Sequence, residues 1–258
     1  MKNKQIIDSW NKVNPDSTAD ERMLVAILAR KHSGRTEKKK WLAPIASSLV
    51  LLIAITIPFL NNGSGDFDLK LSDSGIKVNY TDKVLPENQS SELVYLTEQE
   101  LLSGSIDQYE VVVFEGTVKA VDNIKLDFGG TEFYRAIAKI EVTGAIRGDL
   151  AVGYVLSVLL PNPIDSNVEV SDTLVTSQMS VGTKGIFMPM LYDSTSIYST
   201  NEKTLYLTEI AEAGFSDGQR WAFLETPNGL IYDSEAYPSF SGVESLEEVK
   251  NIILSKIQ

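Results

Sequence analysis

The residue types that carry most enzyme chemistry are scarce in this chain. Its 258 residues include no cysteine and one histidine, His32. A Ser-His-Asp or Cys-His arrangement therefore cannot form in the C-terminal part, and disulfides, cysteine-ligated zinc and iron–sulfur clusters are excluded. His32 lies beside Arg30 and Lys31, and we interpret it as a solvated side chain.

Acidic residues are abundant but have no diagnostic spacing. Paired carboxylates support glycoside hydrolysis, but 30 of the 35 Asp and Glu residues lie beyond residue 40 and produce such pairs by chance. Asp165, Glu169 and Asp172 could gather a calcium ion, although they lack the Asp-x-Asp-x-Asp-Gly register. A catalytic Ser-Lys pair is a further alternative, because serine and lysine residues both occur beyond residue 60. We expect no enzyme activity, no cofactor and no metal site.

Two short strings centred on glycine also need an interpretation. Arg147-Gly148-Asp149 is the tripeptide that integrin ligands display, but between two strands it predicts an ordinary turn. The string from Gly182 to Gly185 (GTKG) lacks the spaced first glycine and the Gly-Lys-Ser/Thr ending of a phosphate loop. Both strings are predicted to be turns.

A long apolar segment dominates the organisation of the chain. Residues 41–60, WLAPIASSLVLLIAITIPFL, contain no charged residue and at roughly 1.5 Å per residue match a hydrocarbon core of about 30 Å. A buried helix of a soluble domain would normally show a polar face, and a signal peptide would have a shorter basic lead. We predict a single transmembrane helix.

Basic residues predict its orientation. Residues 1–40 carry ten Lys and Arg against five Asp and Glu, whereas the whole chain has a formal net charge of −12, which leaves −17 for the rest. The basic side is expected in the cytoplasm and the acidic side outside the membrane. The acidic part should repel nucleic acid. The predicted location is the cell membrane, with an extracytoplasmic C-terminal domain.

The cytoplasmic part predicts two short amphipathic helices separated by Asn14-Pro15-Asp16. Ser17 and Thr18, each with an acid three residues on, predict the start of the second helix. So short a segment cannot bury its apolar stripes alone, so they either contact a cytoplasmic protein or lie on lipid. The predicted partner-binding residues are Ile6, Ile7, Trp10, Val13, Met23, Leu24, Ile27 and Leu28.

The layout of IIDSWNKVNPDSTADERMLVAILAR, the apolar segment and a β-rich remainder resembles the membrane-bound anti-sigma factors and related envelope regulators of Gram-positive bacteria. The resemblance is one of layout and carries no diagnostic motif. The subtype with a zinc-associated His and Cys motif is excluded because cysteine is absent. The resemblance implies that the N-terminal helices sequester a sigma factor until an outside signal or proteolysis releases it.

The remainder predicts a mainly β (α+β) fold. Residues 61–108 are expected to form a spacer, a β-hairpin over 67–80 and a short helix that Thr97 and Glu100 cap. Residues 109–258 predict a β-rich domain in which Gly116 bends a long strand. The strings VVVFEGTVKAV, AKIEVTGAIRGD, GYVLSVLLP and VGTKGIFMPM are similar to OB-like barrels, with an open sandwich as the rival.

The last residues predict an amphipathic helix that packs on the β-rich domain, with Leu246, Val249, Ile252 and Ile253 on one stripe. Together, these features predict a single-pass, non-enzymatic envelope sensor or regulator whose extracytoplasmic ligand the sequence does not name. Two alternatives stay open. One is an anchored surface binding or inhibitory module without a cytoplasmic partner, and the other is an envelope hydrolase that uses carboxylates.

Overall fold

The computed structural model describes residues 65–73, 75–84, 96–164 and 172–257, and the fold of this part is mainly β. Among these residues, no helix has the length and apolar character needed to cross a membrane. The predicted helices of residues 1–40, the eight partner-binding residues on them and the predicted transmembrane helix over 41–60 lie outside the described residues.

The described strands and helices have the following bounds. The strands are β1 (Lys77–Tyr80), β2 (Ser105–Ile106), β3 (Tyr109–Glu110), β4 (Val113–Asp127), β5 (Glu132–Arg147), β6 (Val155–Leu160), β7 (Lys184–Phe187), β8 (Met190–Leu191), β9 (Ile197–Thr200), β10 (Lys203–Tyr206), β11 (Ala213–Gly214), β12 (Ala222–Thr226) and β13 (Gly229–Ile231). The α-helices are α1 (Glu98–Leu101) and α2 (Leu246–Lys256). Short 3₁₀ turns cover Thr176–Gln178, Leu207–Glu209 and Pro238–Phe240.

A two-stranded ribbon, β4 with β5, forms the centre of the fold. β4 has 15 residues and β5 has 16, and they pair antiparallel along their whole length. Asp127 closes the hairpin, since its carboxylate accepts hydrogen bonds from the backbone N–H groups of Gly129 (2.8 Å) and Gly130 (2.9 Å). Both glycines have positive φ angles, and the sequence Asp-Phe-Gly-Gly over 127–130, which predicts a turn, does form one.

The other strands of the main sheet extend from this ribbon in the order β13-β12-β7-β4-β5-β6-β11-β8, and β1 also pairs with β4. β11 runs parallel to β6, whereas the other pairings are antiparallel. The sheet curls into a half-barrel. A bridge between Val111 and Met190 and a hydrogen bond from Val112 N–H to Pro189 O (3.1 Å) place β8 beside the start of β4.

Two apolar cores lie on opposite faces of the ribbon. The concave face holds the larger core, which includes Phe114, Val118, Ile140, Val158 and Phe187. The convex face holds the smaller core, which includes Ile124, Leu126, Phe133, Ile137 and Leu159. The hairpin of β9 and β10 contributes Tyr198 and Leu205 to this second core, so the ribbon is covered by protein on both faces.

Both helices that the sequence predicts beyond residue 60 are present. Thr97 and Glu100 form the predicted capping box of α1. α2 buries Val249 and Ile253 and contacts β7 and β12, which confirms that it packs on the β-rich domain. Its lysines form ion pairs with two distant segments. Lys250 lies 2.8 Å from Glu115, and Lys256 lies 2.9 Å from Glu98.

Two local predictions need correction. The predicted hairpin over 67–80 contains only one regular strand, β1. Its first arm is limited to one bridge between Asp66 and Asn79 and one hydrogen bond from Phe67 N–H to Val78 O (3.0 Å), which is too little pairing for a second strand. The sequence from Thr204 to Ile210 also predicts one strand, but the strand ends at Tyr206 and the chain continues as a 3₁₀ turn. The apolar residues outside the regular strands, Phe67, Leu69 and Leu207, pack against the convex core.

Gly116 lies at a shift in the pairing of β4 with β5 and packs closely against that strand. A Cβ at this position would lie 2.8 Å from Ile140 Cγ2 and 2.9 Å from Glu141 O, both in the paired strand. We expect Gly116→Ala to lower the free energy of unfolding by about 1–3 kcal/mol through overpacking. Gly104→Ala is the matched control, because nothing lies within 4 Å of its Cβ position. Urea unfolding followed by near-ultraviolet circular dichroism measures both, and equal effects would contradict the prediction.

Candidate functional site

The candidate site lies where β4 changes its neighbour. β7 pairs with Phe114–Thr117, and Val118 continues this contact through backbone bonds with Thr183 (2.9 Å) and Gly182 (2.8 Å). β1 pairs with Ile124–Asp127, and Asn123 O accepts from Thr81 N–H (2.9 Å). Within the described residues, no backbone hydrogen bond joins positions 119–122 to either β1 or β7. The edge of β4 is therefore open between them.

A cleft of about 340 Å³ occupies this opening. The end of β1 forms one wall and the turn before β7 forms the other, while β4 forms the floor. Its polar lining is larger than its apolar lining, and Val181 on the rim is 71% exposed. The lining residues are Tyr80, Thr81, Asp82, Val121, Asp122, Asn123, Ile164, Met179, Ser180 and Val181.

Asn123 holds one end of the cleft. Its side-chain amide donates to Ile164 O (2.7 Å) and accepts from Ile164 N–H (2.8 Å). An amide that makes both bonds to one residue imitates the pairing of a neighbouring strand. The segment after β6 is therefore fixed against β4 by a side chain, and this contact closes the cleft at that end.

Asp122 and Tyr80 determine the electrostatics of the cleft. Burial raises the pKa of the Asp122 carboxyl, Lys139 opposes this shift, and Asp82 adds to it. Burial and the nearby Asp122 charge raise the pKa of the Tyr80 phenol. The cleft thus combines a half-buried carboxyl, an exposed carboxyl and a neutral phenol, an arrangement that suits a positively charged or hydrogen-bonding ligand.

A second polar cluster lies in the concave core and is fully bonded. Asp217 Oδ2 accepts from Arg220 Nη2 (2.8 Å) and Trp221 Nε1 (2.7 Å), and Tyr237 donates to Arg220 O (2.6 Å). These bonds lower the pKa of Asp217 although its burial acts the other way. Because Asp217, Arg220, Trp221 and Tyr237 are all buried, the cluster stabilises the loop before β12 and offers nothing to a ligand.

A third cluster joins β6 to the segment before β11. Glu212 accepts from the Ser157 N–H (3.0 Å) and hydroxyl (2.8 Å) and from the Tyr154 hydroxyl. The hydrogen bond to Glu212 raises the pKa of Tyr154 to about 12. Ser157 therefore faces a carboxylate that is already bonded on both oxygens. We interpret this cluster as the polar support of the parallel pairing between β6 and β11.

The strings singled out in the sequence do not converge on the cleft. Arg147 ends β5 and donates to Val111 O (3.0 Å) and Leu102 O (2.7 Å), so its guanidinium holds the neighbouring chain instead of projecting from the turn. The string from Gly182 to Gly185 is a turn only in its first part, since Gly182 lies in a turn at the cleft wall, whereas Lys184 and Gly185 belong to β7. Asp172 accepts from Gln219 Nε2 (3.0 Å), whereas Asp165 and Glu169 lie outside the described residues.

Sequence reasoning did not select Asp122, Tyr80 or Asn123. A single Asp or Asn within a strand has no spacing that distinguishes it from a solvated residue. The sequence does contain one indication of the site: apolar and polar residues stop alternating between Lys119 and Asn123. Among the described residues, no three His, Cys, Asp or Glu side chains are grouped as metal ligands would be.

Comparison with known proteins finds no family that matches this chain and no similar curated protein or solved structure.

The raised pKa of Asp122 predicts an unusual dependence of stability on pH. A carboxyl whose folded-state pKa is raised stabilises the fold below its unfolded pKa, near 3.9, and loses that contribution as the pH rises through the folded value. Asp122→Asn should therefore raise the melting temperature at pH 7, and the gain should vanish towards pH 3. Thermal unfolding across this pH range measures the effect.

Asp127 provides a control of opposite sign. Backbone N–H groups of Gly130 and Gly129 lower its pKa, so its contribution is present at pH 7 and is lost as the pH falls through the folded value. Asp127→Asn should lower the melting temperature at pH 7, and this loss should shrink in acid. If Asp122→Asn and Asp127→Asn shift the melting temperature in the same direction, the assignment of the Asp122 pKa is wrong.

Proposed function

We propose that this chain is a single-pass membrane protein that acts as a non-enzymatic envelope sensor or regulator. One observation carries the proposal. The uncharged residues 41–60 separate a basic segment with a net charge of +5 from an acidic remainder with a net charge of −17. This asymmetry favours a cytoplasmic N-terminus and an extracytoplasmic β-rich domain.

We further propose that the β-rich domain is an OB-like barrel. The pairings support this interpretation, because β4, β5 and β6 form a meander, β7 returns beside β4, and β11 runs parallel to β6. The stretch of β7 and β8 then contacts both β4 and β11. These pairings support the OB-like interpretation, because an OB barrel is a partly open Greek-key barrel of five strands, whereas an open sandwich would not require the parallel pair.

On the cytoplasmic side, the proposed partner is a sigma factor or another transcription regulator. The two apolar stripes on residues 1–40 support this proposal, since together they offer eight apolar side chains and no core of their own. A single transmembrane helix transmits a signal poorly unless the protein is clustered or cut. Release of the N-terminal helices by proteolysis is therefore the simplest mechanism.

The cleft on β4 favours a second candidate, an anchored surface binding module. A polar cleft with a half-buried carboxyl suits ligand recognition whether or not a cytoplasmic partner exists. The two candidates differ only in the role of residues 1–40. In the binding module, that segment serves to orient the protein in the membrane.

The cytoplasmic side separates these candidates. We expect the full-length, affinity-tagged chain, crosslinked in its host cells, to retain a transcription regulator. Replacing Trp10 and Leu24 together by serine should reduce recovery of that protein roughly tenfold or more, because two apolar anchors are lost. Mass spectrometry of the retained proteins and the transcript levels of the regulator's targets provide the measurement.

The matched control replaces Asn11 by serine and Glu21 by glutamine, outside both apolar stripes. This variant should retain the regulator as the natural chain does. Recovery of no cytoplasmic protein above background, or equal recovery with both variants, would rule out the regulator and leave the surface binding module.

A further inference from the structure

We infer that the cleft on β4 binds a short extended peptide segment carrying basic side chains, which adds to the open edge of the strand. The peptide would be the ligand of the proposed extracytoplasmic domain. Only its role as a signal rests on the proposed function. The binding itself depends on three features of the described residues, namely a free backbone pair, an open cleft and two carboxyl groups.

The free backbone pair belongs to Val121. In an antiparallel ladder, alternate residues direct their N–H and C=O groups to opposite sides. Asn123 bonds towards β1 through its carbonyl oxygen, so Asp122 bonds towards β5 and Val121 faces the same side as Asn123. That side is the gap between β1 and β7. An extended peptide placed there can accept from Val121 N–H and donate to Val121 C=O.

The size of the gap matches a short segment. Val118 still contacts the turn before β7, and Asn123 contacts the end of β1, so the open edge comprises the four residues 119–122, roughly 13 Å at 3.3 Å per residue. The three central residues of a five-residue peptide can pair along this length, and its two end residues extend out of the ladder. The two walls, Thr81 with Asp82 and Ser180 with Val181, limit how far a longer strand could pair.

Charge determines which peptide fits. Asp122 and Tyr80 share one face of the sheet, because Asp122 alternates with Ile124, which pairs with Tyr80. In a peptide paired at Val121, the residues before and after the central one project to that same face. Lysine or arginine at those two positions can reach the half-buried Asp122 and the exposed Asp82. An acidic peptide would place carboxylates against them.

The experiment uses the full-length chain in detergent micelles and the peptide Val-Lys-Val-Lys-Val-amide, labelled with fluorescein through an N-terminal glycine linker. Fluorescence anisotropy should show saturable binding. The same peptide with an N-methyl group on its central valine cannot donate to Val121 C=O and should bind at least tenfold more weakly. Because the change lies in the ligand, loss of binding does not reflect unfolding of the protein.

Protein variants test the carboxyl group. Asp122→Asn should weaken binding of the lysine peptide roughly fivefold or more. Asp149→Asn is the matched control. Asp149 is exposed and lies beyond the C-terminal end of β5, and its substitution removes the same charge from the acidic domain. Its effect should stay within about twofold, the size expected of a screened surface charge.

Three outcomes would overturn the inference. They are no saturable binding up to about 1 mM peptide, equal binding of the N-methylated peptide, and equal effects of Asp122→Asn and Asp149→Asn. None of them bears on the cytoplasmic partner. Conversely, loss of the proposed regulator would leave peptide binding intact, so a failure of the sensor role and a failure of the peptide site can be told apart.

Discussion

One extra residue in β4, at the last of three shifts in its pairing with β5, reverses the face of the sheet that the later side chains occupy. Relative to β5, the pairing shifts by one between Val118 and Ala120, which leaves Lys119 without a partner in the ladder. Side chains alternate with a period of two, so an inserted residue reverses the face that every later residue occupies. Before the bulge, Phe114 and Val118 point into the concave core; after it, Ile124 and Leu126 point into the convex core. One strand therefore supports two cores on opposite faces of one sheet, and each half requires its own neighbour.

The polar groups of the open edge differ in kind from those of the buried cluster around Asp217. Asp217 is bonded by Arg220, Trp221 and backbone N–H groups, so its pKa is lowered in spite of burial. Asp122 is half-buried, and burial raises its pKa more than the nearby Lys139 lowers it. A carboxyl whose pKa is raised on folding costs folding free energy at neutral pH. Such a cost is characteristic of a site whose electrostatic partner arrives from outside.

Much of the fold could be predicted from the sequence, but the cleft could not. Turn chemistry is local, so the hairpin at Asp127, the capping box at Thr97 and the hairpin of β12 and β13 follow from residues within a few positions of one another. The cleft depends on where β1 and β7 end relative to β4, and this register is set by packing between segments that are 44 to 73 residues apart, from the pair Tyr80–Ile124 to the pair Phe114–Phe187. No periodicity in the sequence reports such a distance, so Asp122 looks like any exposed aspartate in a strand.

The convex face explains why recognition is expected at the edge of β4 rather than on the sheet itself. OB barrels bind oligonucleotides and oligosaccharides on the outer face of their second and third strands, bordered by two loops. In the proposed OB-like arrangement these strands are β5 and β6, and their outward residues Ile137 and Leu159 are buried. The hairpin of β9 and β10 covers them. Its Tyr198 ring packs 5.4 Å from the rings of Phe128 and Phe133, and Lys203 donates to Gly75 O (2.8 Å). A cover anchored by aromatic and polar contacts at both ends does not open for a ligand at small cost, because the apolar surface beneath it would be exposed to water. With that face filled by the chain itself, the proposed peptide ligand gains its backbone hydrogen bonds at the open edge beside Val121.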